Sequence, residues 1–262
     1  MKQVNQNGLS WLEFPHLSGQ PLLAHAVFTR TNGYSSSPFD SLNVGLHVGD
    51  RETHVRQNRK AVLSCFDAME LIEIQQVHGS RILVLDGHDL PDGFGADREM
   101  ARGDALITNL PGKLLLIQVA DCQPVMIHDP VRRVIANIHS GWRGSIVNII
   151  GRAVTTMKER FGCRPRHLLA GIGPSLGPCC AEFIHYRKEI PQPFWRYLNG
   201  SRHFDFWSLS RDQLVAAGVP PDHIQTSELC TRCRPDLFFS YRHTKVTGRL
   251  AAVIGLRGAG SG

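Results

Sequence analysis

The amino-acid sequence predicts an α+β fold in which short strands form mixed β-sheets. Nine short runs along the chain are rich in apolar and branched residues, as strands are. Only three stretches have the periodicity or the boundary residues of helices. Strands therefore outnumber helices and do not alternate strictly with them, which favours mixed sheets over a doubly wound parallel sheet.

The predicted strands are spread along the whole chain, and one of them follows a predicted turn. Pro124 has no amide hydrogen for a β-ladder, so we expect the backbone to turn at Asp121 and Cys122 before the strand that starts at Val125. The predicted strands are Ala24–Thr29, Glu73–His78, Arg81–Leu85, Leu114–Ala120, Val125–His128, Val134–His139, His167–Gly171, Ile224–Ser227 and Leu250–Leu256.

The clearest predicted helix runs from Ser145 to Phe161, where apolar residues recur at steps of three and four. Gly162 follows it as a C-terminal stop. A second helix is predicted over Arg51–Phe66 with Asp50 as its cap. A third is predicted over Ser208–Ala217, before a glycine and a proline.

Length and composition indicate one soluble domain, which we place at residues 1–257, followed by a flexible tail over 258–262. The chain has 262 residues, no apolar run long enough to span a bilayer, and seven cysteines, an odd number. These features predict a reducing, cytoplasmic location without a membrane partner. The net charge of +6 is not gathered into long basic runs, so we expect no nucleic-acid partner. No obligate protein partner is evident.

Three short segments each contribute one residue that commonly binds a transition metal: His78, Cys122 and His139. Two imidazoles and one thiolate form a zinc- or copper-type ligand set with one coordination position free, as catalytic metals require. Each residue lies near the predicted end of a strand, where side chains can face a pocket. Taken singly, each histidine could equally be a hydrogen-bonded surface residue, and the cysteine a small buried apolar group.

A second group of cysteines has a spacing found in tetrahedral zinc sites. Cys230 and Cys233 form a C-x-x-C pair, and Cys179 and Cys180 are adjacent in sequence. Because one C-x-x-C pair is a moderate signal, we favour reduced structural thiols here and leave the metal site as the alternative.

Twelve short motifs follow one another in an order that a known family shares. Over nearly its full length the chain resembles the multicopper polyphenol oxidoreductase (laccase-like) family, whose bacterial members are described as purine nucleoside phosphorylases. The matching segments are Phe28–Arg30, Ser41–Gly45, His47–Asp50, Asn58–Arg59, Gln76–Gly79, Gly103–Leu106, Ala120–Pro124, His139–Gly144, Gly171–Pro174, Cys230–Cys233, Phe238–Arg242 and Thr247–Arg249.

The resemblance implies a single domain layered α/β/β/α with mixed sheets. It also implies that His78, Cys122 and His139 bind the metal, Zn²⁺ with copper as an alternative. The implied activity is phosphorolysis of adenosine, inosine and methylthioadenosine, together with adenosine deamination. The implied partners are thus a nucleoside and inorganic phosphate. Residues 181–183 replace a more usual tyrosine-bearing segment, which leaves the substrate contacts of that loop open.

Besides Cys122, which is both metal ligand and catalytic candidate, five residues are candidates for the chemistry of such an enzyme. Asp121, beside the ligand Cys122, could move protons or only orient the ligand. Arg30, Arg143 and Arg242 lie in matched motifs and carry the guanidinium forks that bind phosphate, although each could instead hold loops together. Asn43 could hydrogen-bond phosphate or the ribose hydroxyls.

Three other interpretations remain open at this stage. A copper-dependent polyphenol oxidase is one, although the chain lacks the paired H-x-H motifs that a laccase needs. A cysteine-type amidase or hydrolase acting in peptidoglycan editing is another, with Cys122 as nucleophile and His139 as base. In the third, a non-enzymatic binding module holds a structural zinc.

Overall fold

The computed structural model describes residues 1–66, 69–87, 100–200 and 202–258, and these contain twelve strands and six α-helices. The strands are β1 Lys2–Gln6, β2 Leu9–Glu13, β3 Leu23–Phe28, β4 Glu70–Ile72, β5 Ile82–Leu85, β6 Ala105–Thr108, β7 Lys113–Val119, β8 Gln123–Asp129, β9 Val134–Ser140, β10 Leu169–Ile172, β11 Ile224–Thr226 and β12 Leu250–Leu256. The helices are α1 Pro15–Ser18, α2 Glu52–Leu63, α3 Trp142–Ile146, α4 Ile149–Phe161, α5 Tyr186–Glu189 and α6 Phe206–Ala216, and 3₁₀ turns cover Pro165–His167, Gln192–Tyr197 and Pro221–His223.

The strands form two six-stranded sheets, and both sheets are mixed. The first has the order β1-β2-β3-β12-β7-β4, in which only the β4–β7 pair is parallel. The second has the order β11-β10-β8-β9-β6-β5, in which the β10–β11 and β5–β6 pairs are parallel. The predicted α+β class with mixed sheets is confirmed.

Three apolar cores show how the layers stack. One core lies between the sheets and contains residues of both, such as Leu115 and Ile117 of β7 and Met126 of β8. A second core joins the outer face of the second sheet to α4 and α6. A third joins the outer face of the first sheet to α2. The order of layers is therefore helix, sheet, sheet, helix, as the resemblance implied.

The predicted strand over Glu73–His78 is wrong. The structure has a strand at Glu70–Ile72 instead, and the residues after it form a loop that touches Arg102 through one isolated bridge at Gln75. His78 has a left-handed φ of 58°, which no strand allows. The other predicted strands are present with shifts of one or two residues at their ends, whereas β1, β2 and β6 were not predicted.

Pro124 lies inside β8, although we predicted that it would keep the ladder from forming there. The predicted turn at Asp121 and Cys122 is present immediately before it. Pro124 faces His139 across the β8–β9 pair, and the amide of His139 donates to Asp104 on the other side of β9. The missing amide hydrogen of Pro124 therefore leaves no acceptor on β9 unpaired.

The helix predicted over Ser145–Phe161 is two helices, α3 and α4. Asn148 adopts a left-handed conformation between them, and its side chain accepts a hydrogen bond from the Gly151 amide. Gly162 ends α4 in the left-handed conformation, as predicted. Asp50 does not cap α2, because Arg51 occupies the cap position and no side chain bonds there.

The C-terminal boundary is only partly described. Residues 259–262 of the predicted tail lie outside the described residues. None of the helices in the described ranges has the length and apolar character needed to traverse a membrane.

Candidate metal centre and cleft

His78, Cys122 and His139 come together although they are far apart in sequence. One ligand atom from each of them lies within 4.8 Å of the others. The two imidazole rings are perpendicular, with centroids 4.7 Å apart. Two nitrogens and one sulfur at these distances fit a zinc- or copper-type ion and leave a coordination position free.

The second sheet positions two of these three ligands. His139 is the next-to-last residue of β9, and Cys122 ends the turn that leads into β8. Because β8 and β9 are paired neighbours with Gln123 opposite Ser140, the two side chains converge at one end of the sheet. This placement at strand ends is what the sequence predicted for them.

The third ligand is brought in by the loop after β4. The Gln76 side chain donates to the carbonyl of Gln118 at 2.8 Å and accepts from the Gln118 amide at 2.7 Å. These two hydrogen bonds attach the loop to β7 in the way that the backbone of a neighbouring strand would. His78 follows two residues later, in its left-handed conformation.

Asp104 connects both histidines through a fully buried carboxylate. Its Oδ1 accepts from His139 Nδ1 at 2.8 Å and from the His78 amide at 2.8 Å, and its Oδ2 accepts from the Gly79 amide at 2.7 Å. The other ring nitrogen of His139 is therefore left to face the site. Burial alone would raise the pKa of Asp104, but the hydrogen bonds from His139 and the Gly79 amide outweigh it and lower the pKa.

Gly141 closes the other side of the ligand set at van der Waals distance. A Cβ at this position would lie 3.1 Å from Cys122 Sγ and 3.3 Å from His78 Cδ2. A larger residue here would push against the ligands by a few tenths of an ångström, so glycine serves the close approach of the backbone and not its conformation, which has an ordinary φ of −76°.

The charge state of the ligands suits metal binding. Burial alone would raise the pKa of the Cys122 thiol, but the nearby His139 and His78 rings outweigh it and lower the pKa to about 6. Burial would lower the pKa of His139, yet Cys122 and Asp104 raise it to about 9. The sulfur is therefore a thiolate at neutral pH, which is the form that binds metals.

The ligands lie in the wall of a cleft of about 1030 Å³. This volume is at the upper end of the range for sites that bind small molecules. Its lining combines the three ligands with aromatic and cationic side chains, among them Trp142, Arg143, Phe183, Tyr241, Arg242 and Arg249.

Asp121 lines the cleft, and both of its carboxylate oxygens hold the surrounding loops. Oδ1 accepts from Thr231 Oγ1 at 2.7 Å, and Oδ2 accepts from the Arg242 amide at 2.6 Å. Its carbonyl accepts from the Leu176 amide, and its φ is 84°. Of the two roles considered from the sequence, this arrangement favours the orientation of Cys122 over proton transfer.

Arg143 and Arg242 both line the cleft. The Arg143 guanidinium is exposed and stacks on the Trp142 ring at 4.2 Å, so its outward edge is open to an anion. Arg242 donates to the Glu182 carbonyl at 2.7 Å and lies over the Phe183 ring.

Arg30 and Asn43 are not among the described residues that line the cleft. The Arg30 guanidinium donates to the Asp40 backbone and carboxylate and to the Pro235 carbonyl. Asn43 is fully buried and bonds to Gly45, Asp50 and the Arg249 amide. Both side chains hold loops together, which was the alternative considered for the arginines.

Sequence reasoning assigned no role to Asp104, Arg249 or Phe183. Arg249 lies in the matched Thr247–Arg249 motif, and its backbone amide is held by Asn43. Burial lowers the pKa of its guanidinium, while the Cys122 and Asp121 anions act in the opposite direction. Phe183 lies in the segment that departs from the usual family pattern, so only its place in the cleft reveals it.

Residues 24–257 match the model of the family described as multi-copper polyphenol oxidoreductase laccase. This match spans most of the chain and contains all three ligands. The chain belongs to this family.

Relatives within the multi-copper polyphenol oxidoreductase laccase family are named purine nucleoside phosphorylases. YlmD of Geobacillus stearothermophilus is 35% identical, with 96% of each chain covered. YfiH of Escherichia coli is 32% identical over 87% of this chain and 91% of its own. The crystal structure of a hypothetical protein YfiH from Bacillus licheniformis superposes with a TM-score of 0.84 at 32% identity, covering 96% of this chain and 97% of that one.

Proposed function

We propose that this protein is a zinc-dependent purine nucleoside phosphorylase that also deaminates adenosine. The observation that carries the proposal is the set of two histidines and one thiolate on the wall of a cleft that also presents arginines and aromatic rings. The relatives named purine nucleoside phosphorylases support the phosphorylase part. A bound zinc ion would supply Lewis acidity and activation of water at the free coordination position.

Phosphorolysis requires that phosphate be held against C1′ of the ribose while positive charge develops on the sugar. Arg143, Arg242 and Arg249 are the cations of the cleft wall that we assign to phosphate, because guanidinium groups bind its oxygens in pairs. A phosphate oxygen would then bond to C1′ as the bond from C1′ to the base breaks. The base would leave with that electron pair and take up the proton that the phosphate loses, so that the products are the free purine and ribose 1-phosphate. Arg30 and Asn43 take no part in this proposal.

The purine is assigned to the aromatic side of the cleft. Phe183 and Trp142 are both in the lining, and their rings meet edge to face with centroids 6.0 Å apart. Flat aromatic surfaces of this kind bind a purine through stacking and exclude water from it. The guanidinium groups of Arg143 and Arg242 lie over these two rings, so a nucleoside placed there has the proposed phosphate-binding cations beside it.

The product assay uses inosine with inorganic phosphate. Hypoxanthine and ribose 1-phosphate are expected from the zinc-loaded protein, and Cys122→Ala should abolish both. Cys65→Ala is the matched control, since Cys65 is a buried cysteine in the apolar core beside α2. Unchanged turnover in Cys122→Ala would overturn the proposal. Release of ammonia from adenosine without phosphate tests the deaminase part separately.

A cysteine hydrolase is the second candidate, and one observation favours it. Asp104, His139 and Cys122 form a line of contacts in which a carboxylate orients an imidazole beside a thiolate. Such an enzyme would keep its activity after chelation and lose it on alkylation of Cys122. The His78 ring also hydrogen-bonds to the Cys122 sulfur, and this second histidine favours metal binding over nucleophilic catalysis. Metal analysis of the purified protein also tests copper, since several bound copper ions would support polyphenol oxidation.

A further inference from the structure

Four cysteines outside the cleft meet at the surface of the protein. Cys179 and Cys180 lie in the turn after β10, and Cys230 and Cys233 lie after β11. Their four sulfur atoms all lie within 4.8 Å of one another. The Cys233 sulfur is 3.6 Å from that of Cys179 and 3.5 Å from that of Cys180.

These separations correspond to the edges of a tetrahedron of thiolates around one metal ion. A Zn–S bond of about 2.3 Å with tetrahedral angles gives sulfur–sulfur separations of about 3.8 Å. Disulfides need about 2.05 Å between sulfurs, so none of the four cysteines is paired in this structure. Four sulfurs this close could not spread around a binuclear iron–sulfur cluster, which places its ligand pairs on two different metals.

The backbone around the sulfurs is built for close approach. The Gly177 amide donates to Cys230 Sγ at 3.4 Å. A Cβ on Gly177 would lie 2.7 Å from the Trp207 ring and 3.1 Å from Cys230 Cβ, so a larger residue at this position would have to displace the Trp207 ring. Amide donors to sulfur stabilise the thiolate form that a metal needs.

We propose that Cys179, Cys180, Cys230 and Cys233 bind one Zn²⁺ in a closed, structural site separate from the cleft. Four protein ligands leave no coordination position for substrate, which is the property of structural zinc. The favoured sequence interpretation, reduced thiols without metal, is thereby replaced by its alternative. The proposal does not depend on the reaction proposed for the cleft.

The proposed zinc ion would join the segments 175–180 and 230–233, and both segments hydrogen-bond to Asp121 in the wall of the cleft. Ser175 and Cys230 form a backbone bridge, and Thr231, between the two cysteines of the C-x-x-C pair, donates to the Asp121 carboxylate at 2.7 Å. The Leu176 amide donates to the Asp121 carbonyl. A metal joining these segments would thus stabilise the turn that presents Cys122.

The test counts and identifies metals in protein prepared anaerobically. Wild-type protein and Cys65→Ala should bind two zinc ions, and Cys122→Ala and Cys233→Ala one each. X-ray absorption of Cys122→Ala should show a shell of four sulfurs at about 2.3 Å. The same zinc content in Cys233→Ala as in the wild type, no zinc in Cys122→Ala, a mixed sulfur–nitrogen shell, or iron in place of zinc would each overturn the proposal.

Two further readouts keep the test valid if Cys233→Ala folds poorly. Chelation should lower the melting temperature of Cys122→Ala, because this variant retains only the four-cysteine site, and added Zn²⁺ should restore it. An unchanged melting temperature would contradict the proposal. Counting thiols of the denatured wild type with chelator should give all seven cysteines, and a lower count would show disulfides in place of the metal.

Discussion

Asp104 is the residue through which the two histidine ligands depend on each other. One carboxylate fixes the ring of His139 and, through backbone amides, the left-handed conformation of His78. A left-handed conformation at a residue other than glycine costs of order 1–3 kcal/mol unless the surroundings hold it. The hydrogen bonds to Asp104 are the contacts that hold it here.

We predict that Asp104→Asn lowers zinc affinity by about 10–100-fold, the usual effect of losing a carboxylate that orients a ligand. The amide keeps the size of the side chain but brings a donor towards backbone amides that need an acceptor. Competition with a chromogenic chelator measures the affinity. Asp129→Asn is the control, because Asp129 is equally buried but accepts from the backbone amides of residues 131 and 132 rather than from a metal ligand. Equal zinc affinity in Asp104→Asn and wild type would contradict the prediction.

Sequence could identify the ligands but not the residues that orient them. His78, Cys122 and His139 are of metal-binding types and lie beside turns, so local pattern and family motifs both selected them. Asp104 lies in the matched Gly103–Leu106 motif, but only the fold shows that its carboxylate hydrogen-bonds to both histidine ligands. Arg30 and Asn43 show the reverse case, since they lie in matched motifs but their side chains bond to neighbouring loops and do not line the cleft.

At the scale of elements, the break between α3 and α4 shapes the entrance to the cleft. The periodicity of apolar residues continues across it, so it predicted one uninterrupted helix. Asn148 adopts a left-handed backbone conformation between the two helices, and its side chain caps the first turn of α4. Two helices allow Trp142 and Arg143 to lie at the cleft while α4 packs on the second sheet.

We predict that Asn148→Ala reduces the free energy of unfolding by about 2–3 kcal/mol. Loss of the cap to the Gly151 amide costs about 1 kcal/mol, and the left-handed conformation costs alanine another 1–2 kcal/mol. Asn148→Gly is the matched variant, because glycine adopts that conformation freely and loses only the cap. Urea unfolding measures both. Equal losses for the two variants would show that the backbone conformation is not what asparagine supplies.

The predicted and observed strands differ where pairing with a neighbouring strand, rather than amino-acid composition, decides whether a segment forms a strand. β12 and β7 are apolar runs at the centre of the first sheet and were predicted almost to the residue. β1 has mostly polar, exposed residues and exists because β2 pairs with it. Glu73–His78 has the composition of a strand, but the Gln76 amide pairing with β7 replaces a ladder there.

At the scale of the whole molecule, the space between the two sheets contains two buried histidines. His25 of β3 and His128 of β8 alternate with the residues of the outer cores, and both are only 3% exposed. His25 Nε2 accepts from the Phe14 amide at 2.9 Å, so this nitrogen carries no proton. Burial lowers the pKa of His25 and that of His128 to about 4 each.

These two rings make the stability of the protein sensitive to acid. In the unfolded chain each ring takes up a proton below its ordinary pKa of about 6.5, whereas the folded state keeps it neutral down to about 4. The unfolded state therefore binds more protons between these values, and stability falls as the pH falls through that window. Above this window both rings are neutral in the folded and in the unfolded state, so they add no pH dependence to the free energy of unfolding.

We predict that lowering the pH from about 7.5 to about 5 reduces the free energy of unfolding by up to about 2 kcal/mol for each ring, at about 1.36 kcal/mol per proton and pH unit. Urea unfolding with chelator present separates this effect from metal binding. In His25→Gln/His128→Gln the loss should be smaller, since glutamine does not titrate and its carbonyl can still accept from the Phe14 amide. His243→Gln, an exposed control, should behave as wild type. The same pH dependence in the double variant and wild type would mean that the acid sensitivity originates elsewhere than between the sheets.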